Sequence, residues 1–248
     1  MLDHEHLDSG SSRLDLRIAS ATSRPVSDHV LILVHGLPRA HGMGRQAAGL
    51  LPELAEHLSN ESGWVVATGT LSGVGTSTGT FSPDQWRLDL AAIIDRLDEP
   101  GRRISLAGFG LGGALALTHA VSEERIRGVA TFATPAHLDH WVGDADAFHA
   151  ALTTSGVVDP LVPLLDAQAL HSAICAMDVL AAASVLPPRR FLIGHGSDDA
   201  EVPASDARDL YAAADGRAEL RIIQSAGHWL RADPRMVATL LGWLDRHR

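Results

Sequence analysis

The stretch Ile104-Ser105-Leu106-Ala107-Gly108-Phe109-Gly110-Leu111-Gly112-Gly113 carries the reading of the fold. Residues 104–107 form a short apolar run of strand type, and residues 111–121 show apolar spacing of three and four. A glycine-rich turn therefore joins a buried strand directly to a helix. Outward from it the same alternation recurs. Residues 14–20, 30–34, 64–68, 129–132, 191–193 and 220–223 read as strands, and residues 46–58, 83–97, 204–214 and 234–246 read as helices. Pro83 and Pro234 follow the capping residues Ser82 and Asp233, at the first helical position, where proline is tolerated. Strand and helix alternating in this way predict the α/β class: a mostly parallel twisted sheet with helices on both faces. The run 14–20 alternates apolar and polar residues and reads as an antiparallel edge strand. Residues 136–188 break the rhythm with short helical pieces punctuated by Gly156, Pro160, Pro163 and the Pro187-Pro188 pair. They read as a short helical cap over the C-terminal edge of the sheet, where open α/β sheets bind ligands.

The chain of 248 residues is long enough for one large core, and no stretch reads as a linker, so residues 1–248 are expected to form a single domain. No apolar run is expected to span a bilayer, and residues 1–6 are acidic and polar, without the basic and apolar regions of a secretory leader. A cytoplasmic location follows as an expectation. The terminal cluster His4-Glu5-His6 is expected to fray. A formal net charge of −10 argues against nucleic acid or an anionic membrane as partner, because binding there needs clustered cations. A small molecule is the expected partner, and a homodimer is left open. All basic residues are arginine, which excludes Schiff-base lysine chemistry and a lysine-bearing phosphate loop. A single cysteine, Cys175, excludes an internal disulfide and a cysteine-rich metal site; set among Ala173, Ile174, Ala176 and Met177, it reads as a small packed hydrophobe. No cofactor and no metal is expected.

Three loops, each directly after a strand, hold the residues that carry chemistry. The first is His35-Gly36-Leu37-Pro38, the second is Gly108 to Gly113, and the third is His195-Gly196-Ser197-Asp198-Asp199-Ala200-Glu201-Val202-Pro203 with Ala226-Gly227-His228 after the last strand. Together they resemble the active-site loops of the α/β-hydrolases, and Thr70 to Gly79 is similar to that family's R-G-x-G-x-S-x-G segment with Ser72 at the arginine position. The resemblance covers nearly the whole chain and is greatest to bacterial, especially actinobacterial, members of the serine-aminopeptidase or acyl-peptidase type. It implies the α/β-hydrolase fold and esterase or peptidase chemistry. It also implies that Asp199 and His228 are the acid and base of a triad, and that the backbone N–H groups of Leu37 and Leu111 form an oxyanion hole. Asp198 competes with Asp199 for the acid role, and the spacing to Val202-Pro203 favours Asp199. His35 is expected to position its loop.

In that resemblance the nucleophile position, G-x-S-x-G, is occupied by Gly110. Glycine relieves the strain of a positive-φ elbow, which costs other residues on the order of 1 to 3 kcal/mol, but it removes the attacking oxygen. Ser77, Thr76 and Thr134 are the nearest hydroxyls by loop and are not expected to take over. Gly108, Gly110 and Gly113 also satisfy G-x-G-x-x-G, the dinucleotide fingerprint. That reading needs an acidic residue after the next strand, where Ala133-Thr134-Pro135 stands instead. His137 and His140, near Asp139, Asp144 and Asp146, read as a solvated lid in preference to a metal site. Trp86, Trp141, Trp229 and Phe148 belong either to the pocket or to packing. Three functions stay open: a hydrolase-like enzyme in which His228 and Asp199 activate water or substrate without a covalent intermediate, a ligand-binding pseudoenzyme, and an ordinary serine esterase or peptidase whose serine at 110 was exchanged for glycine.

Overall fold

A computed structural model describes residues 1–38, 49–158 and 163–247. Its centre is an eight-stranded sheet of β1 (Leu2–Ser9), β2 (Ser12–Ala19), β3 (His29–Val34), β4 (Val65–Thr70), β5 (Arg103–Phe109), β6 (Ile126–Phe132), β7 (Arg190–Gly196) and β8 (Glu219–Ile223). The spatial order is β1-β2-β4-β3-β5-β6-β7-β8; β1 with β2 and β2 with β4 pair antiparallel, and the remaining neighbours pair in parallel. The central strands are buried on both faces, as a parallel sheet covered by helices requires.

Alternation along the strands sorts the core into two layers. Val30, Ile32, Val34, Ile104 and Leu106 face one side, and Leu31, Leu33 and Ala107 face the other. The first side is covered by α2 (Pro83–Leu97), α3 (Leu111–Ser122) and α8 (Ala204–Ala213), and the second by α1 (Leu51–Ser62) and α9 (Pro234–Asp245). Ser82 and Asp233 accept hydrogen bonds from Gln85 and Arg235 N–H and cap α2 and α9, each ahead of the expected proline. The expected start of α1 at residue 46 lies outside the described residues; within them the helix begins at Leu51.

Two sequence expectations fail at the N-terminus. Residues 2–9 are the true edge strand, paired residue for residue with β2, so the polar terminus does not fray and residues 14–20 lie one strand in. The signal was hidden because β1 packs little of its own surface; its ladder and the ion pair of Glu5 with Arg96 of α2 at 2.9 Å hold it. Between β6 and β7 lie four short helices, α4 (Leu138–Val142), α5 (Ala145–Ser155), α6 (Ala167–Cys175) and α7 (Val179–Val185), as expected of the insertion. The last of them returns to the sheet layer and packs on α3 and α8. The stretch Ala167–Val185 is 19 residues long and apolar enough to cross a membrane by composition, contrary to expectation. It is divided into α6 and α7 at Asp178, whose carboxylate caps α7.

The turn between β5 and α3 is held by contact rather than by side chains. A Cβ on Gly108 would collide with the backbone of Gly112 and Gly113, and one on Gly112 with the carbonyl of His35. Gly108→Ala is therefore expected to destabilise the protein by about 1 to 3 kcal/mol through overpacking against rigid backbone. Urea denaturation midpoints measure this, and an unchanged midpoint would show that the turn can open.

Candidate active site

The three predicted loops meet at the C-terminal ends of β3, β5, β7 and β8, around a cavity of about 370 Å³. Gly36, Leu37, Gly110, Leu111, His228 and Glu201 all line it. Gly110 is the tip of the turn, with φ 54° and ψ −127°, and it precedes the first residue of α3. A Cβ built there would meet nothing closer than His228 Nε2 at 3.8 Å and Gly36 Cα at 3.9 Å. Packing thus forbids side chains at Gly108 and Gly112 and leaves room for one at residue 110, where only the backbone conformation favours glycine.

Asp199 and His228 form the pair that faces this tip. His228 Nδ1 lies 2.9 Å from Asp199 Oδ2, so the proton on Nδ1 is donated to the carboxylate and Nε2 is left as the acceptor aimed into the cavity. The Asp199 side chain is completely buried. Its Oδ1 accepts the backbone N–H of Glu201 and of Val202, each at 2.9 Å, and His195 Nε2 stands 3.4 Å from Oδ2. Burial alone pushes this carboxyl's pKa up. The hydrogen bonds of His195, His228 and the Val202 N–H outweigh burial and hold it well below the usual carboxylate range, so it stays ionised. Asp198, the competing neighbour, is tied instead to the Ser197 hydroxyl at 2.6 Å and does not reach His228.

His195 is a partner that sequence reasoning quoted without a role. It is the penultimate residue of β7, four residues before Asp199, and is buried, and its Nε2–H donates to the Val202 carbonyl at 2.9 Å. It thereby fixes the loop whose N–H groups bind Asp199. The spacing His195 to Asp199 was the available signal. Glu201 is another: its Oε2 lies 3.8 Å from His228 Nε2 at the cavity mouth.

Leu37 and Leu111 line the cavity together with Gly110 and are buried along its wall. Leu111 is the first residue of α3, where backbone N–H groups have no partner within the helix; Gly110 offers no side-chain cap and no acidic residue occupies the first turn. His35 braces the Leu37 loop as expected. Its Nε2 accepts the Leu71 N–H at 2.9 Å, so Nδ1 carries the proton and donates to the Gly36 carbonyl at 2.8 Å.

The alternative hydroxyls are occupied elsewhere. Ser77 bonds Thr70 and Thr76 bonds Asp15, toward the β2 side of the sheet, and Thr134 is packed beneath α3 against Gly113. Trp141 and Trp229 line the cavity, whereas Trp86 is core, donating from Nε1 to the Ser72 carbonyl, and Phe148 is buried against Trp141. His137 pairs with Asp209 at 3.0 Å and His140 is exposed. Cys175 is half-buried beside His171, and burial raises its thiol pKa. A larger groove of about 520 Å³ between α2, α3 and the α6–α7 region shares no lining residue with the His228 cavity; His119, Asp84 and Asp178 line it, and His119 hydrogen-bonds neither carboxylate.

Comparison with known proteins bears on the fold. No family model matches the chain, and no curated protein matches it. Among solved structures, an α/β serine hydrolase without a lid from Xanthomonas campestris is similar over 99% of this chain and 92% of its own, at 21% identity and a TM-score of 0.64. The esterase domain of a Rhodothermus marinus protein is similar over 100% and 97%, at 17% identity and a TM-score of 0.71. The α/β-hydrolase GrgF from Penicillium sp. sh18 is similar over 100% and 99%, at 16% identity and a TM-score of 0.73. With the sheet order above, this likeness establishes that the chain has the α/β-hydrolase fold.

Burial of His35 lowers its pKa to about 4, against a smaller upward pull from the Gly36 carbonyl. The unfolded chain protonates this residue near ~6.5, so its share of stability is complete above that pH and is lost as the pH falls toward the folded value. Between pH 7 and pH 4.5 the loss is expected to be about 2 kcal/mol. Urea midpoints of the protein and of His35→Gln should show the drop reduced by that order in the variant; an equal drop in both would contradict the buried neutral state.

Proposed function

We propose that the protein is a hydrolase of small carbonyl compounds in which His228, held by Asp199, activates water directly. The observation that carries this reading is the position of His228 Nε2, 3.8 Å from the point that a side chain on residue 110 would start from, where the sequence supplies no side chain. The proton acceptor keeps the geometry it needs for an attacking group at the tip, and the cavity wall leaves space for a water oxygen in place of a serine oxygen.

In this mechanism the ligand's carbonyl oxygen is held by the N–H groups of Leu37 and Leu111, which stabilise the negative charge that develops there. The oxygen of water bonds to the carbonyl carbon while its proton passes to His228 Nε2. The imidazolium that results is stabilised by the ionised Asp199 across the 2.9 Å hydrogen bond. Collapse of the tetrahedral intermediate breaks the bond to the leaving oxygen, and His228 returns the proton to that oxygen. No acyl group is attached to the protein at any stage.

Rapid-mixing hydrolysis of p-nitrophenyl esters tests the proposal. Product is expected to rise linearly from the first turnover, and His228→Ala is expected to lower the rate by roughly 100-fold or more. A burst of nitrophenol equal to the protein concentration would reveal an acyl intermediate and overturn the non-covalent route. Saturable ester binding without turnover would instead favour the ligand-binding reading and overturn the hydrolase.

A further inference from the structure

Arg231 lies one residue beyond the Trp229-Leu230 pair in a short 3-10 turn, Leu230–Ala232, that follows His228. Its guanidinium carbon stands 4.4 Å from the centre of the Trp229 ring, over the aromatic face, and both residues line the same cavity as Gly110 and His228. Stacking of this kind fixes the plane of the guanidinium and leaves its N–H edge for another partner.

The structure holds no such partner among the described residues. Arg17, Arg96, Arg125, Arg235 and Arg246 each pair with a carboxylate, whereas Arg231 makes no ion pair, and its Nε is buried without a hydrogen-bond acceptor. Burial lowers its pKa, and no carboxylate pulls it back up. A partly desolvated cation without a counter-ion is costly to fold, and the cost is recovered when an anion supplies the missing acceptors. Glu201, which lines the same cavity beside His228, contributes a negative charge of its own and disfavours a doubly charged ligand.

We propose that Arg231 is the specificity residue of the cavity and that the ligand is a carbonyl compound bearing one carboxylate, which the guanidinium grips through its N–H edge while the reacting carbonyl lies at Gly110. The inference deepens the hydrolase reading by naming the substrate class, and it concerns binding, so it can be tested apart from turnover. A carboxylate fits better than a phosphate because a single guanidinium offsets one negative charge and Glu201 in the same lining repels a second.

The experiment is calorimetric binding of the monomethyl esters of succinate, glutarate and adipate, each against its uncharged dimethyl ester. Binding is measured to the protein and to Arg231→Met and Arg231→Lys, with thermal melting to confirm that each variant is folded. In the unsubstituted protein at least one monoester is expected to bind roughly tenfold or more tightly than its dimethyl partner, as a charge-assisted hydrogen bond provides. The preference should vanish in Arg231→Met and survive in weakened form in Arg231→Lys. Absence of a preference in all three pairs, or its persistence in Arg231→Met, would overturn the assignment. Preference for the monoesters without hydrolysis of any ester would uphold Arg231 and remove the hydrolase reading alone.

Discussion

The backbone at Gly110 turns from strand to helix within one residue, at φ 54° and ψ −127°, and the rest of the site depends on that bend. β5 lies in the interior of the sheet, and α3 is buried on nearly every side, so neither end of the turn can yield without opening the core. Gly108 and Gly112 let the turn close against itself and against the loop after β3. His35 then ties that loop to the one after β4, through the Leu71 N–H. Residue 110 is consequently presented at the head of the sheet, where it lines the cavity together with Leu37 and Leu111.

A second rigid unit approaches from the far strands. His195, Asp199 and the N–H groups of Glu201 and Val202 form a closed set of hydrogen bonds at the end of β7, and His228 is suspended from it above the tip. A buried carboxylate that lost these donors would be expensive, by about 3 to 5 kcal/mol for a broken pair. The ionised state of Asp199 is therefore secured by the fold and does not depend on whether a nucleophile stands opposite. That separation explains how the hydrogen-bonded Asp199–His228 pair can stand opposite a tip occupied by glycine.

Much of this was readable from the residues. The helix starts at Pro83 and Pro234 fall where proline and its capping neighbour put them, and the strand–glycine turn–helix unit places Gly110 at the bend. His228, Leu37 and Leu111 line one cavity and Asp199 is buried behind His228, because each follows a strand that ends at the same edge of the sheet. The failures have physical causes. β1 was missed because an exposed edge strand needs no apolar alternation when its ladder and polar contacts such as Glu5–Arg96 and Ser9–Asp89 hold it. Arg231 was missed, and Glu201 was quoted without a role, because their meaning lies in what surrounds them in space, an aromatic face and an imidazole, and neither is encoded in local spacing.

The account requires that residue 110, the Asp199–His228 pair and the two wall N–H groups remain aligned as a reaction centre, so restoring the missing oxygen is the most direct test. Gly110→Ser should react with a fluorophosphonate probe at residue 110, located by mass spectrometry, and the labelling should be lost when His228→Ala is added. A folded Gly110→Ser protein that stays unlabelled would contradict the alignment and leave the fold as the only part of the likeness that holds.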